Sequence, residues 1–569
     1  MMPFWKRSKL AALSSSGSES DPHESEAELA KRVVRAYHEQ TKHHFHRPAY
    51  GPMELDWETQ PDPFRRYEGA ALLPLAVSEP TEEPCLESAL VEGGLPVSDL
   101  DYRTVSQLFF DSLSVSAWKE AGEARWAVRT NPSSGNLHPT ECTALLPALD
   151  GLTEHAGVFH YAPREHGLEV RAELPAELWD GLIAELPPGS FLLALSSIHW
   201  RESWKYGERA YRYCQHDAGH AIAALSIAAA GLGWKVELVD QLGTEELGTL
   251  LGLPKSESPE AEFPDCLLVV GPQGSELSVE LPAERIEAFR ALDWKGEPND
   301  LSPDHEVWDA IDRVSEAAEK QRTERAGEPW RDTEAAKPVE SEPHSLRRIV
   351  RQRRSGLAFD GKTGMPKETF FRILESCMPH AGRFPFNALP WSPRIHLALF
   401  VHRVEGVEPG LYWLQRDPER LDFVRSTIRE DYVWFPVEGC PESLPLSLLL
   451  PMDLRRQAAQ VSCQQDIAAD GAFSLGMIAD FDESIEEEGA WIYPRLFWEA
   501  GALGQVLYLE SEAVGLRSTG IGCYFDDAVH SILGLRDRKL QSLYHFTIGK
   551  PVDDARLTTH LAYPDRSPA

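Results

Sequence analysis

No stretch of the sequence approaches the ~18 consecutive apolar residues that a membrane-spanning helix requires. The longest apolar run, Ala221 to Trp234, is short and Ala-rich and reads as a buried helix. Cys-x-x-Cys pairs are missing as well. The eight cysteines (Cys85, Cys142, Cys214, Cys266, Cys377, Cys440, Cys463 and Cys523) are scattered, which excludes a zinc ribbon and offers no disulfide framework. A reducing, cytoplasmic location is expected. Positive charge is scarce: 56 Lys and Arg against 90 Asp and Glu leave a formal net charge of −34. That balance repels nucleic-acid phosphate and anionic lipid, and no basic stripe offsets it locally, so neither is expected as a partner. The first residues, MMPFWKRSKLAALSSSGSESDPHESE, lack the apolar core of a secretion signal, so residues 1–27 read as a disordered tail. His43, His44 and His46 have no nearby Cys or helix-spaced carboxylate, so a polar loop rather than a metal site is expected there.

What is present is enough for more than one core. A chain of 569 residues exceeds the size at which single cores stop growing, which makes two domains the natural division. A helical pattern begins near Glu28 and opens a first domain spanning 28–294. Residues 295–344 are dense in Glu, Lys, Arg, Pro and Asp, apart from one polar helical stretch from Val307 to Arg325, and read as a charged linker. Ser345 is placed to N-cap the helix LRRIVRQRR, so a second domain runs over 345–569.

The two domains share an internal repeat. DAGHAIAALSIAAAGLGW (217–234) aligns without a gap on EAGALGQVLYLESEAVGL (499–516), 282 positions later, and the same offset brings Leu251-Gly252-Leu253 onto Leu533-Gly534-Leu535. GVFHY (157–161) matches GLYWL (410–414), and LLVVGP (267–272) matches HFTIGKP (545–551) after a small indel. Each copy has apolar strand-like runs around one long helix of small residues, which predicts an α+β domain with a buried central helix.

Three segments carry polar groups suited to a ligand. RTNPSSGNLHPTE (129–141) is a loop with Pro132 and Pro139 at its ends and hydroxyl and amide donors between them, a description that ordinary turns also meet. RQRRSGLAFD (351–360) offers guanidinium forks and a hydroxyl, as an anion site would, although a basic helix end opposing the macrodipole reads the same way. GLRSTGIGCYFDD (515–527) has glycines that permit close backbone approach, whereas its counterpart KVELVD (235–240) lacks them.

Together these segments resemble the nitroreductase superfamily. PSSGNLHPTE is similar to its Pro-Ser-Ser-x-Asn-x-Gln-Pro flavin loop, with His138 where Gln is common. TKHHFHRPAYGPMELDWETQPDPFRRYEGA (41–70) and YRYCQHDAGH (211–220) bring the likeness nearer to the SagB-type (azoline dehydrogenase, thiazoline oxidase) branch in a tandem form. The resemblance implies two nitroreductase-like α+β domains forming an intramolecular pseudo-dimer around FMN. Pro132, Ser133, Ser134, Asn136 and His138 would hold the flavin from the first half. Arg353, Arg354 and Ser355 would take its phosphate and ribityl chain from the second, and Gly520, Gly522 and Cys523 would lie near N5. Leu357 stands where the family has a second cation, which leaves Arg354 or Lys550 to compensate. Lys205 and Tyr206, in Trp204-Lys205-Tyr206-Gly207, match the branch's catalytic Lys-Tyr motif, and the stretch Trp491-Ile492-Tyr493-Pro494 is read as their counterpart. PFNALP (385–390) has lost the serines of the loop, so one complete site is expected and the opposite one decayed. The implied activity is FMN-dependent hydride transfer through N5, with azoline-like peptide substrates one possibility. An NAD(P)H-dependent nitro or quinone reductase and a non-catalytic flavin-binding partner in a biosynthetic complex are the alternatives.

Overall fold

The computed structural model describes residues 24–324, 329–331 and 343–566. Residues 1–23 of the expected tail, and 325–328 and 332–342 of the expected linker, lie outside the described residues. Among those described, no helix is long and apolar enough to cross a membrane.

Two seven-stranded antiparallel sheets dominate the chain. The first comprises β1 (Leu72–Pro74), β2 (Thr140–Leu146), β3 (Gly157–Ala162), β4 (Gly167–Glu173), β5 (Phe191–Ile198), β6 (Trp234–Leu238) and β7 (Glu262–Pro272), in the order β1-β4-β3-β2-β5-β7-β6. The second comprises β8 (Ile395–Val401), β9 (Gly410–Leu414), β10 (Phe435–Pro436), β11 (Leu446–Pro451), β12 (Phe473–Asp480), β13 (Arg517–Ile521) and β14 (Leu540–Gly549), in the order β10-β11-β9-β8-β12-β14-β13. Substituting each strand by its repeat mate turns one order into the other at six of the seven positions; the edge strands β1 and β10 sit alike on β4 and β11 but come from different points of their halves, β1 before β2 and β10 after β9. Central strands β5 and β12 are buried along their whole length, which is why they read as unbroken apolar runs rather than alternating ones.

The repeated helices are α3 (Ala210–Ala230) and α6 (Ile492–Ala513), preceded by α2 (His199–Tyr206) and α5 (Asp482–Glu488). Every residue of α3 is buried, so no polar face was available to give the segment an amphipathic pattern. Ala218, Ala221, Ile222 and Leu225 join the core of the first sheet, while Leu496, Ala500, Leu503 and Leu507 join that of the second.

The two helices cross at their repeated glycines. A Cβ on Gly219 would lie 2.2 Å from the Trp498 carbonyl oxygen, and one on Gly501 would lie 2.3 Å from that of His216. Gly219 and Gly501 are 282 positions apart, as are His216 and Trp498. The mate of each glycine thus meets the mate of that glycine's partner, the reciprocity that defines a two-fold contact.

The offset also corrects the counterpart of the Lys-Tyr motif. It runs unbroken from β5 and β12 through α2 and α5, which places Lys205 opposite Glu487 and sets Trp491–Pro494 opposite Arg209–Arg212. The Trp-x-Tyr likeness was a five-residue slip.

Both ends of the chain embrace the other half. Helix α1 (Glu26–Gln40) pairs Arg35 with Asp482 at 2.8 Å and Lys31 with Glu486 at 3.1 Å. The strand Thr558–His560 extends the hairpin Val115–Ala121/Ala124–Arg129 of the first half. Parts of the segment expected as a linker are built into the structure: Glu297–Pro298 pairs with Tyr67–Glu68, and the helix Asp309–Ala317 buries Ile311 and Val314. Asp309 and Asp312 of that helix are exposed, which is why its composition resembles a tether.

Candidate active site

The loop between the first-half hairpin and β2 is a tight, internally bonded turn. Gly135, Asn136 and His138 adopt φ of 59°, 60° and 53°, a region that Gly and Asn enter at least cost. The Ser133 hydroxyl accepts from the His138 amide at 2.8 Å, and Asn136 Nδ2 donates to the Ala127 carbonyl at 2.8 Å. With its nitrogen so committed, Asn136 offers Oδ1 to His138 Nε2 at 3.1 Å, so the imidazole proton sits on Nε2 and Nδ1 is an acceptor. That Nδ1 is buried and has no partner. Burial, together with Arg129, Arg201 and Arg353, holds the ring well below the usual histidine range, and hence neutral. Behind the loop, Asp217 of α3 accepts from the Ser134 amide at 3.1 Å and from its hydroxyl at 3.2 Å. Burial pushes the Asp217 carboxyl up to about 7.

The facing wall comes from the second half. Ser345 caps α4 (Leu346–Gln352), accepting from the Arg348 amide at 3.1 Å. The helix delivers Arg353 into the seam, where it is buried and donates to the carbonyls of Thr130 and Arg129 at 3.2 Å each. The Ser355 hydroxyl meets that of Tyr508 at 2.8 Å, and the same phenol accepts from the Gly520 amide at 3.1 Å. The glycines in and just after β13 have a reason inside the protein: a Cβ at Gly520 would sit 2.1 Å from the Tyr544 hydroxyl, and one at Gly522 2.2 Å from the Tyr213 ring.

Between the walls lies a cavity of about 720 Å³, within the range of small-molecule sites. Pro132, Ser133, Ser134, Asn136 and His138 line it on one side, and Arg353, Arg354, Ser355, Gly520, Gly522 and Cys523 on the other. Tyr206 also lines it, 4.6 Å from the Tyr213 ring. Lys205 stands just behind, its Nζ 3.2 Å from where a Gly135 Cβ would be and 5.4 Å from the Tyr206 ring centroid.

Lys550 does not join them. It follows the end of β14, turns outward and donates to the Gly515 carbonyl at 3.2 Å, so it cannot replace the cation missing at Leu357. Arg517 and Lys119 line the cavity instead, beside Arg354. Burial and then Arg353 lower the Arg354 guanidinium to about 9, and burial followed by Arg354 and Arg517 lowers Lys119. Cations that depress one another in this way form a cluster that an anion would relieve. Arg129 Nε and Asn131 Oδ1, on residues that line the same cavity, are also buried without partners.

Sequence reasoning missed Asp217, Arg517, Lys119 and Tyr508 as members of this site. Asp217 was marked by its repeat mate Glu499, and Arg517 lies inside the Gly-rich string. Lys119 and Tyr508 have no local signature.

The dyad-related corner is partly filled, by an ion pair. Arg495 forms a buried ion pair with Asp240, and its guanidinium lies 4.4 Å from the Trp491 ring and 5.2 Å from that of Trp391. The turn Phe386–Ala388 replaces the serine loop and is tied down by Arg331, which donates to the carbonyls of Phe386 at 3.1 Å and Trp391 at 3.0 Å. A broader cleft of about 1030 Å³ borders this corner, lined by Leu238, Val239 and Arg495, the mates of Gly520, Ile521 and Tyr213, and contains none of the expected site residues.

Residues 119–271 match the family model described as "Nitroreductase family". The chain is 26% identical over 180 residues to a protein of Methanocaldococcus jannaschii named "Putative nitroreductase MJ1384", an alignment spanning 31% of this chain and 82% of the relative. A solved structure from Anabaena variabilis, described as a "putative nitroreductase", superposes with a TM-score of 0.64 at 20% identity, covering 91% of this chain and 99% of its own. The fold is therefore that of two nitroreductase-like domains in one chain, and the matched segment carries the loop, Lys205, Tyr206 and α3.

Proposed function

We propose that the protein is an FMN-dependent oxidoreductase with one working site, the cavity at the seam of the two halves. The observation that carries this reading is the convergence there of the Pro132–His138 loop from one half with Arg353, Arg354 and Ser355 from the other. The donor set fits a flavin mononucleotide. Arg353, Arg354, Arg517 and Lys119 suit a phosphate dianion, and the unpartnered His138 Nδ1 and Asn131 Oδ1 suit the N–H groups of a polar ring. When bound, flavin supplies reversible two-electron hydride transfer at N5. The protein's own part is to position and to handle protons. Tyr206 closes the cavity next to the loop, and its phenol is held protonated by burial and then by Glu202. Lys205, at the same turn, balances negative charge or exchanges a proton with substrate through Tyr206.

Within this class we favour substrate dehydrogenation, including azoline-like rings in a modified peptide, over reduction by NAD(P)H. Purified protein incubated with FMN and desalted is expected to stay yellow, with an absorbance of one flavin per chain. Failure of the folded chain to take up flavin at saturating concentration ends the proposal. Anaerobic bleaching by NAD(P)H instead of by an azoline peptide would move the protein to the reductase class. Lys205→Ala is expected to keep FMN while lowering turnover at least ~10²-fold; unchanged turnover would remove Lys205 from the mechanism.

A further inference from the structure

Cys463 and Cys523 are 60 positions apart in sequence, yet the fold sets the turn carrying one against the strand end carrying the other at the edge of the cavity. The contact is built by the backbone. Cys463 and Gln464 adopt φ of 53° and 60°, a left-handed turn that breaks the chain between the helices Arg455–Val461 and Ile467–Asp470. Two hydrogen bonds clamp that turn onto the strand carrying Cys523: Phe525 N–H donates to the Val461 carbonyl at 2.7 Å, and Gln465 Nε2 donates to the Cys523 carbonyl at 3.1 Å. The two thiols lie between these clamps. Cys523 is exposed and lines the cavity, whereas Cys463 is only partly exposed behind it.

A third group completes the cluster. His43 bridges backbone to backbone with Phe525, two residues from Cys523, and the His43 Nδ1 accepts from the Ala49 amide at 2.9 Å, which places the proton of the neutral ring on Nε2. Cys463 and, after it, His43 lower the Cys523 thiol, while Cys523 and burial raise that of Cys463, so the exposed Cys523 is the better placed nucleophile.

We propose that Cys463 and Cys523 are a redox-active dithiol that reduces small-molecule disulfides at the mouth of the cavity, with Cys523 attacking and Cys463 resolving. The Cys523 thiolate attacks one sulfur of the disulfide, forming a mixed disulfide and releasing one thiolate of the substrate. Cys463 loses its proton to solvent or to that thiolate and attacks Cys523 Sγ, which expels the second substrate thiolate. The substrate disulfide gains two electrons, and the Cys463–Cys523 bond forms as the two cysteines lose them.

The test uses the full-length protein with oxidised glutathione, quenched with N-ethylmaleimide and mapped by mass spectrometry. Wild type is expected to yield a Cys463–Cys523 disulfide with no glutathione retained, and two equivalents of glutathione released. Cys463→Ser is expected to keep one glutathione on Cys523, formed at least ~10-fold faster than on the partly exposed Cys85. Cys523→Ser is expected to leave Cys463 unmodified on that timescale. A wild type that carries glutathione on Cys523 without forming the internal bond overturns the proposal, as does a Cys463→Ser variant whose Cys523 reacts no faster than Cys85. Because none of these readouts needs flavin, they stand or fall apart from the function of the cavity.

Discussion

At the offset of 282, Tyr213 and Gly522 of the open corner correspond to Arg495 and Asp240 of the filled one. The two pairs solve one packing problem in opposite ways. In the open corner the Tyr213 hydroxyl donates to the Gly522 carbonyl at 3.1 Å, and its ring lies where a Cβ would be, leaving space above the strand. In the filled corner a carboxylate replaces the hydrogen of the glycine, and a guanidinium among three tryptophan rings takes up part of the volume beside the broader cleft. An enzyme built from two identical subunits keeps both corners open by symmetry. A fused chain can spend one on stability and keep the other for a ligand.

The largest effect that would break this comparison is in the filled corner. Arg495→Ala leaves the Asp240 carboxylate buried and unpaired, and is expected to cost ~3–5 kcal/mol of stability, read from chemical denaturation, while flavin uptake per folded molecule stays unchanged. The double replacement Arg495→Met with Asp240→Leu should recover most of that loss, because an apolar pair of similar volume carries no desolvation penalty. If flavin uptake fell with Arg495→Ala instead, the corner would not be a closed structural element.

Next in size is the dyad itself. Gly219→Ala and Gly501→Ala each drive a methyl into the backbone of the opposite helix, and each is expected to cost ~2–3 kcal/mol, the upper range for overpacking. Near-equal losses would sharpen the two-fold relation, and a loss at one position alone would break it. In the open corner, Arg353→Ala removes a charge-assisted donor set worth ~1.5–3 kcal/mol, so the dissociation constant for FMN should rise ~10- to 100-fold by fluorescence titration.

The repeat was legible in the sequence because small residues recur wherever one helix must touch another, and Gly219 and Gly501 are the contact. The loop and the Arg353–Ser355 segment were legible because each is a short string whose groups act together. The filled corner was half legible: the loss of serines in PFNALP is visible, but nothing local announces that Arg495 finds Asp240 across 255 positions. Lys550 was misjudged for the converse reason, since proximity to the motif in sequence says nothing of which way a residue turns after a strand ends. The Cys463–Cys523 pair depends on a left-handed turn at two residues that ordinarily avoid it, which no pattern of composition signals.

The last effect concerns Asp217, which ties α3 to the loop, and shows only as a dependence on pH. Its carboxyl is raised by burial from the ordinary 3.8 to about 7, so the folded state keeps a proton that the unfolded chain releases near pH 4. Between roughly pH 4 and pH 7 the unfolded state therefore binds fewer protons, and stability falls as pH rises, by at most ~1.4 kcal/mol per pH unit from this group. Above pH 7 the folded carboxyl ionises too and the slope from this group vanishes. Asp217→Asn keeps an acceptor for the Ser134 amide and cannot titrate, so the pH profile of denaturation midpoints should flatten in that window without loss of the loop. A wild-type profile that rises through the window, or one that the substitution leaves unaltered, would mean that Asp217 is charged in the fold and that the loop is held by an ion rather than by a neutral acid.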